Sequence, residues 1–599
     1  MTAVRYCVRP ASPREHWFEI DCQLDHPDPQ GQRFWLPSWI RGSYLVRDFA
    51  KHVIDVRAQD ARGPLALERL DKRTLRVAPA SGALTLRYRV YAFDVSVRKA
   101  YLDLSRGFFN GSALFYCPAG HERAGFALTI ERPQDPDCGH WRVATTLRAT
   151  QIDADGFGCY AAADYEELID HPVEMGRFVR HDFDVDGIAH ALVLSGRCEV
   201  DGDRIVRDLA RICRVQRELF RQEPARGPEF AQYLFLTHVV ASGYGGLEHR
   251  SSTALICART DLPRPGETGV KPGYRAFLGL CSHEYFHLWN VKRITAQRLA
   301  ESDLGAEAYT ADLWHYEGVT SYYDDLFLLR AGLIEAPAYL DLVAENMTRI
   351  ERTPGARIQT LADASFEAWV KYYQPDENSP NATVSYYVKG ALVALCLDLM
   401  LRLHAHMTLD DVMRSAWQRW GRTGVPVPEG GLEALAQTVS GLDLRAFFDR
   451  ALRSTEPLPL AELLAAFGVR AERRAARGSK DAGGRSAEDG PAPAWLGLQL
   501  RAQETRVAHV LAGSPAAQAG VHPGDQVVAL DGLRVGAANW DSALARLVPG
   551  RRYPLHVFRD DELIELDIEP AQAPLDTWTL TLAEADGERL ARRKAWLGV

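Results

Sequence analysis

The chain is short of several things that would decide its class at a glance. It has ten cysteines, at positions 7, 22, 117, 138, 159, 198, 213, 257, 281 and 396, and none forms a CxxC pair. Such scatter argues against a disulfide framework. Cys281 and Cys396, inside apolar helical patterns, read as reduced, core-filling residues. No run of about 18 uncharged apolar residues occurs, so no membrane-spanning helix is expected. No apolar stretch follows the first charges of Met1-Thr-Ala-Val-Arg-Tyr-Cys, so no secretory leader is expected either. Together these favour the cytoplasm over the periplasm. A basic excess is missing too: 70 Lys and Arg stand against 79 Asp and Glu, a net charge of -9. Nucleic-acid and membrane-surface binding usually need the opposite imbalance, so neither partner is expected. There is no tandem repeat.

What is there is 599 residues, 46% hydrophobic and 25% charged. That is the balance of an ordinary globular chain. It is too long for one core, and length alone predicts about three or four domains. In residues 1–172, Trp17 to Leu24 and Leu84 to Phe93 alternate apolar with polar side chains, the period of half-buried strands. Turn residues punctuate them, which predicts a β-sandwich-like domain. Residues 173–470 are mixed and then mainly helical. Asp203 to Val215 has helical spacing, Phe230 to Val239 reads as a strand, and helices dominate from Arg275. Thr408 with Asp411 predicts an N-terminal capping pair. Residues 471–493 are polar, Gly- and Ala-rich and without period, which predicts a flexible linker. Short strands and turns fill 494–575, and 576–599 form a C-terminal tail. The whole is a multidomain α+β protein.

The chemistry sits in Phe277-Leu-Gly-Leu-Cys-Ser-His-Glu-Tyr-Phe-His. This is HExxH. Residues four apart share a helix face, so His283 and His287 can present two imidazoles to one ion, and Glu284 can reach a metal-bound water. Random order would give on the order of 0.03 such matches in this chain, and the flanks are those of a buried helix. Zinc suits two imidazoles with an open water position, one ion per chain. A third ligand is needed. The metzincin pattern would need Gly at 290 and His at 293, and the chain has Asn290 and Arg293. A glutamate from a following helix is the alternative. Glu317, in the aromatic run Trp314-His-Tyr-Glu-Gly, is preferred because a carboxylate there is costly to bury unless paired or metal-bound. Glu307, in a loop-like stretch, and His315 are the competitors.

Taken together, these residues resemble the gluzincin metallopeptidases, whose catalytic domain is thermolysin-like. His287-Leu-Trp-Asn is similar to the context of the aminopeptidase N family, Glu317-Gly318 looks like its ligand segment, and Gly245-Gly246-Leu247-Glu248-His249 looks like its GxMEN motif with His in place of Asn. The wording GGLEHRSST and HEYFHLWNVKRI, with a trailing PDZ-like module, is most similar to the glycyl aminopeptidase family. One departure is the 30 positions from His287 to Glu317, which implies an insertion between the two helices. The resemblance implies the following roles. Glu284 is the general base and Tyr387, in the YxKG-like Tyr387-Val-Lys-Gly, the oxyanion donor, with Tyr386 the neighbour most easily confused with it. Glu248 binds the free α-ammonium of the substrate, and Gly243, Gly245 and Gly246 let the backbone approach the peptide. Substrates are peptides with a free N-terminus, a small residue such as Gly or Ala leading.

Trp495-Leu-Gly-Leu resembles the carboxylate-binding loop of PDZ domains, with Leu496, Gly497 and Leu498 its members. Ser514 to Gly532 resembles their core, and Asn539 to Leu547 fits the flanking helix. Peptide C-termini are the partner this implies. Two other readings compete: an endopeptidase with the same core, and a PDZ-based peptide-binding protein whose metal site is inactive. Nothing in the sequence speaks to oligomeric state.

Overall fold

The computed structural model describes residues 2–221, 230–485 and 492–599. They fall into two compact units, 1–308 with 417–427, and 309–416 with 428–599.

The first unit opens with the β domain. Trp17–Leu24 buries Phe18, Ile20, Cys22 and Leu24 on one face. These stand opposite Val90, Tyr88, Leu86 and Leu84 of the antiparallel strand Leu84–Tyr91. The period of two read in the sequence is thus one apolar row across two strands. On the other face Asp21 is held by Arg9 and Arg87 at 2.9 and 2.5 Å. These strands belong to an eight-stranded sheet, and two four-stranded sheets complete the domain. Buried tyrosine hydroxyls fix the loop at 114–115: Tyr88, on the large sheet, donates to the Leu114 carbonyl at 2.7 Å, and Tyr165, on the short helix Tyr165–Ile169, to that of Phe115 at 2.6 Å.

A five-stranded sheet follows, in the order Val179–Val185, Ile188–Ser195, Gln232–Val240, Ser252–Ala258, Tyr244–Glu248. The predicted strand from Phe230 runs from Gln232 to Val240. Tyr244–Glu248 is the edge strand. The amphipathic helix Gly202–Phe220, capped by the Asp201 side chain on Arg204 N, buries Ile205, Leu209 and Ile212. Its Gln216 donates to the carbonyl and hydroxyl of Ser282 at 2.8 and 2.9 Å. That bond fixes the helix Pro272–Phe286, which carries the HExxH residues.

The second unit opens with helices. A π-helical turn, Trp314–Gly318, runs into the helix Val319–Arg330. Beside it lies Tyr386–His404, part of the stretch Ser379–His404 that is long and apolar enough to cross a bilayer, where no such helix was expected. Most of its apolar stretch is buried inside the protein, so it serves as a core helix. Thr408 and Asp411 exchange the reciprocal bonds of a capping box.

The linker expected over 471–493 begins as structure. Val469–Arg474 is a strand paired antiparallel with Thr577–Leu582. Residues 475–485 are tied down in turn: Arg474 holds Asp481, and Arg485 binds Asp341 at 2.7 Å. Charged side chains on a half-exposed strand hid its period. Residues 486–491 of that linker lie outside the described residues. The expected tail over 576–599 likewise contains that partner strand and a helix, Gly587–Leu597, whose Trp596 packs on Tyr339 and Phe467. Between them is the PDZ-like core, built on Val507, Val527, Leu555 and Val557.

Candidate metal centre and peptide cleft

In the first unit, His283 and His287 present their rings to each other, centroids 4.7 Å apart and planes at 87°. The helix ends at Phe286, and His287 is its C-cap, with N–H bonded to the His283 carbonyl at 3.3 Å. The imidazole Nδ1 of His287 meets the Asn290 carbonyl at 2.7 Å. A carbonyl only accepts, so Nδ1 carries the proton and Nε2 is left with a lone pair for a metal. The carbonyl is aimed there by a tight reversal in which Val291 adopts φ 147°. A β-branched residue avoids that region, and such strain collects where a site over-determines the backbone.

Glu284 is buried, and the edge strand lies directly against it. A Cβ at Gly246 would fall 2.1 Å from Glu284 Oε1, so any side chain there would displace the carboxylate. Glu248 is 3% exposed, and its Oε1 has no hydrogen-bond partner among the described residues. Glu248, Glu284 and His287 each offer a donor atom within 4.8 Å of the others. Gly42, at φ +94°, makes room for the Glu248 carboxylate, since a Cβ there would meet it at 2.1 Å. A cavity of about 530 Å³ opens beside Glu248, with Gly42, Asp170, Arg250, Val291 and Lys292 among its walls.

In the second unit, Glu317 is 2% exposed, at the heart of the π turn. His315, on the same turn, is also buried, and desolvation pushes its pKa down to about 3. Glu307 is half-buried and on no helix, so it lacks the rigid placement of Glu317. The 288–312 stretch before the turn holds only a four-residue helix, Gln297–Ala300, in keeping with the implied insertion. The turn packs on Tyr386–His404 through two glycines: a Cβ on Gly318 would lie 2.5 Å from the Gly390 Cα. The glycines of Glu317-Gly318 and of Tyr387-Val-Lys-Gly390 are therefore one helix crossing seen from its two sides. The Ser385 hydroxyl caps the second helix on Val388 N. Tyr387 shares a 2.6 Å hydrogen bond with Tyr373, and Tyr386 donates to Tyr373 at 3.1 Å.

In the PDZ core, Leu496 is buried and Gly497 takes φ +70°, where a Cβ would strike that of Ser514 at 2.2 Å. Leu498–Leu500 pairs with Val507–Val510 in a two-stranded sheet.

Comparison with known proteins gives the lineage. Residues 5–177 match the Peptidase M61 N-terminal domain, 276–393 the M61 glycyl aminopeptidase domain, and 494–569 a PDZ domain. A crystal structure of an aminopeptidase N family protein from Idiomarina loihiensis is 37% identical, covers 99% of this chain and 100% of its own, and has a TM-score of 0.94. The chain belongs to the M61 glycyl aminopeptidase family. It is a metallopeptidase of the aminopeptidase kind. An M1 zinc metallopeptidase from Deinococcus radiodurans is 14% identical over 76% of this chain and 94% of its own, with a TM-score of 0.47, a likeness too distant to weigh. No curated protein matches the chain.

Several residues around this M61 site were not foreseen. Asp170 binds Lys292 at 2.6 Å and accepts from Arg250 N at 2.9 Å. The Lys292 ammonium, with His249, holds its carboxyl well below the usual range against a large desolvation cost. This network underpins the segment 248–250. Tyr373, which bridges both candidate tyrosines, and Arg98, whose Nη2 donates to the Gly246 carbonyl at 3.1 Å, were likewise missed. Each lies far from its partner in sequence, and only the double tyrosine 372–373 offered a local hint.

Proposed function

We propose that this metallo-aminopeptidase uses one zinc ion, held by His283, His287 and Glu317, to release small N-terminal residues such as glycine and alanine from peptides. The observation that carries the reading is the His283–His287 pair, with the tautomer of His287 set by the Asn290 carbonyl and buried Glu284 beside it. Two neutral imidazole nitrogens and a carboxylate are a donor set that zinc prefers and that leaves a position open. When bound, the ion lowers the pKa of water and polarises a carbonyl. Glu284 takes the proton of the attacking water and passes it to the leaving amine. Its burial and its contact with Gly246 hold the carboxylate in one place while it does so. The Tyr387 hydroxyl, kept in position by Tyr373, donates to the developing oxyanion.

Glu248 supplies the count of one residue. Its unpaired Oε1, buried, favours an ammonium in a medium where charge pairing is strong. Gly42 and the backbone of the β domain bring protein close to that ammonium, which supports a small leading side chain. The edge strand Tyr244–Glu248 offers backbone groups to an extended peptide. The PDZ core, through Leu496, Gly497 and Leu498, takes peptide C-termini by strand addition.

The test is hydrolysis of Ala- and Gly-initiated peptides, free and N-acetylated, by wild type and Glu284→Gln, with metal measured by atomic emission. Wild type is expected to spare the acetylated peptides. Glu284→Gln is expected to lose about 100- to 10,000-fold in kcat and to keep its zinc. Full activity in that variant, or cleavage of blocked peptides at the same rate, sinks the reading.

A further inference from the structure

Arg98 comes from the β domain, yet its Nη2 donates to the carbonyl of Gly246 at 3.1 Å. Gly246 lies on the edge strand, whose other side pairs with Ser252–Ala258. The guanidinium therefore stands on the open edge, where an extended substrate must lie. Gly246 is also the residue pressed against Glu284. The charge is thus within one residue of the reacting bond.

The loop that delivers it is fixed on both sides. Asp94 accepts from Ser96 N at 2.9 Å and from Lys99 Nζ at 2.7 Å, and buried Asn110 donates to the Val97 carbonyl at 2.7 Å. Arg98 itself is half-buried. No carboxylate pairs with it among the described residues, and its Nε is buried with no hydrogen-bond partner. A held, half-buried guanidinium with no carboxylate partner among the described residues, and with most of its five donors uncommitted, is built to receive an anion.

The spacing says which anion. Glu248 and Gly246 are two residues apart on one strand, about 7 Å along it. An extended dipeptide covers nearly the same span, roughly 6–7 Å, between its α-nitrogen and its terminal carboxyl. With the α-ammonium on Glu248, the carboxylate of the second residue falls beside Arg98. We propose that Arg98 reads the C-terminal carboxylate of dipeptides, making them the substrate class this cleft favours. The inference rests on the aminopeptidase reading and refines it. Glu248 measures from the amino end and Arg98 from the carboxyl end. A longer peptide presents a neutral carbonyl at the same place and forgoes the charge-assisted bond.

The experiment compares kcat/KM of the zinc-loaded full chain on Ala-Ala, Ala-Ala-amide and N-acetyl-Ala-Ala. The free acid is expected to exceed the amide by about 10- to 100-fold, as a hydrogen bond between charged groups implies. In Arg98→Gln the acid-to-amide ratio falls to near unity, and in Arg98→Lys most of it persists. A wild-type ratio near unity overturns the proposal, and so does an unchanged ratio in Arg98→Gln. The wild-type ratio decides the matter alone if the variant does not fold. Rapid cleavage of N-acetyl-Ala-Ala overturns the aminopeptidase reading instead, a separate signal from the ratio.

Discussion

Gly246 leaves Glu284, the proposed general base, no slack. A methyl group there would meet the end of the Glu284 side chain at 2.1 Å, and that end can swing aside. Gly246→Ala should therefore cost little stability and much turnover, because a carboxylate displaced by about 1 Å can lose on the order of 100-fold in rate. Paired thermal melts and Ala-peptide kinetics check this: a large fall in melting temperature with turnover intact would contradict it. At this scale the sequence was legible wherever chemistry is local. HExxH offers two candidate ligands and a candidate base, because four positions make about one helical turn. It was silent about Arg98, Tyr373, Asp170 and Lys292. Their roles come from partners on other elements, Arg98 from the β domain onto the edge strand and Asp170 onto Lys292, and no window of sequence contains both members.

Among the elements, the π turn Trp314–Gly318 shows how a carboxylate is kept inside an aromatic core. Its entry is pinned by Asp312, which accepts from Gly430 N at 2.7 Å, and by Glu429, which accepts from Ala311 N at 2.6 Å. Burial, then the nearby Glu429 charge, raises Asp312 to about 7. The folded state therefore prefers this group protonated. Its contribution to stability is complete below the unfolded carboxylate range, near pH 4, and is lost as pH rises through about 7. Asp312→Asn should be more stable than wild type at pH 8, by up to about 4 kcal/mol, and should lose less stability between pH 5 and 8. Equal pH profiles by differential scanning calorimetry would refute the assignment. The sequence announced a helix-compatible run here but not the π geometry. It also placed His287 inside a helix that ends one residue earlier. Val469–Arg474 was lost among its charges: Arg473 lies over Trp578 and Arg474 binds Asp481, so side chains that look solvated are engaged.

For the molecule as a whole, the C-terminal residues are structural. Thr577–Leu582 completes a ribbon with Val469–Arg474, and Trp596 and Leu597 are buried. Truncation after residue 575 should lower the melting temperature by about 5–10 °C or abolish soluble expression, since it uncovers Tyr339 and Phe467 and leaves Val469–Arg474 unpaired. A truncated chain that melts like the full one would show these contacts to be idle. Composition and period had conveyed the division into β, helical and PDZ parts. They could not convey that the last part returns to the middle one, because that is a pairing more than 100 residues apart.

That return changes what kind of appendage the PDZ core is. Trp495 and Ala571 exchange two backbone hydrogen bonds, at 2.9 and 3.0 Å, so the module's entrance and exit meet. Asn381 clasps it as well, donating to the Val510 carbonyl and accepting from Ala512 N. It is a cassette spliced into a hairpin, moored at both ends, rather than a pennant trailing from one. A foreign domain whose own ends touch could be exchanged for it at the same two seams while the peptidase around it goes on folding as before.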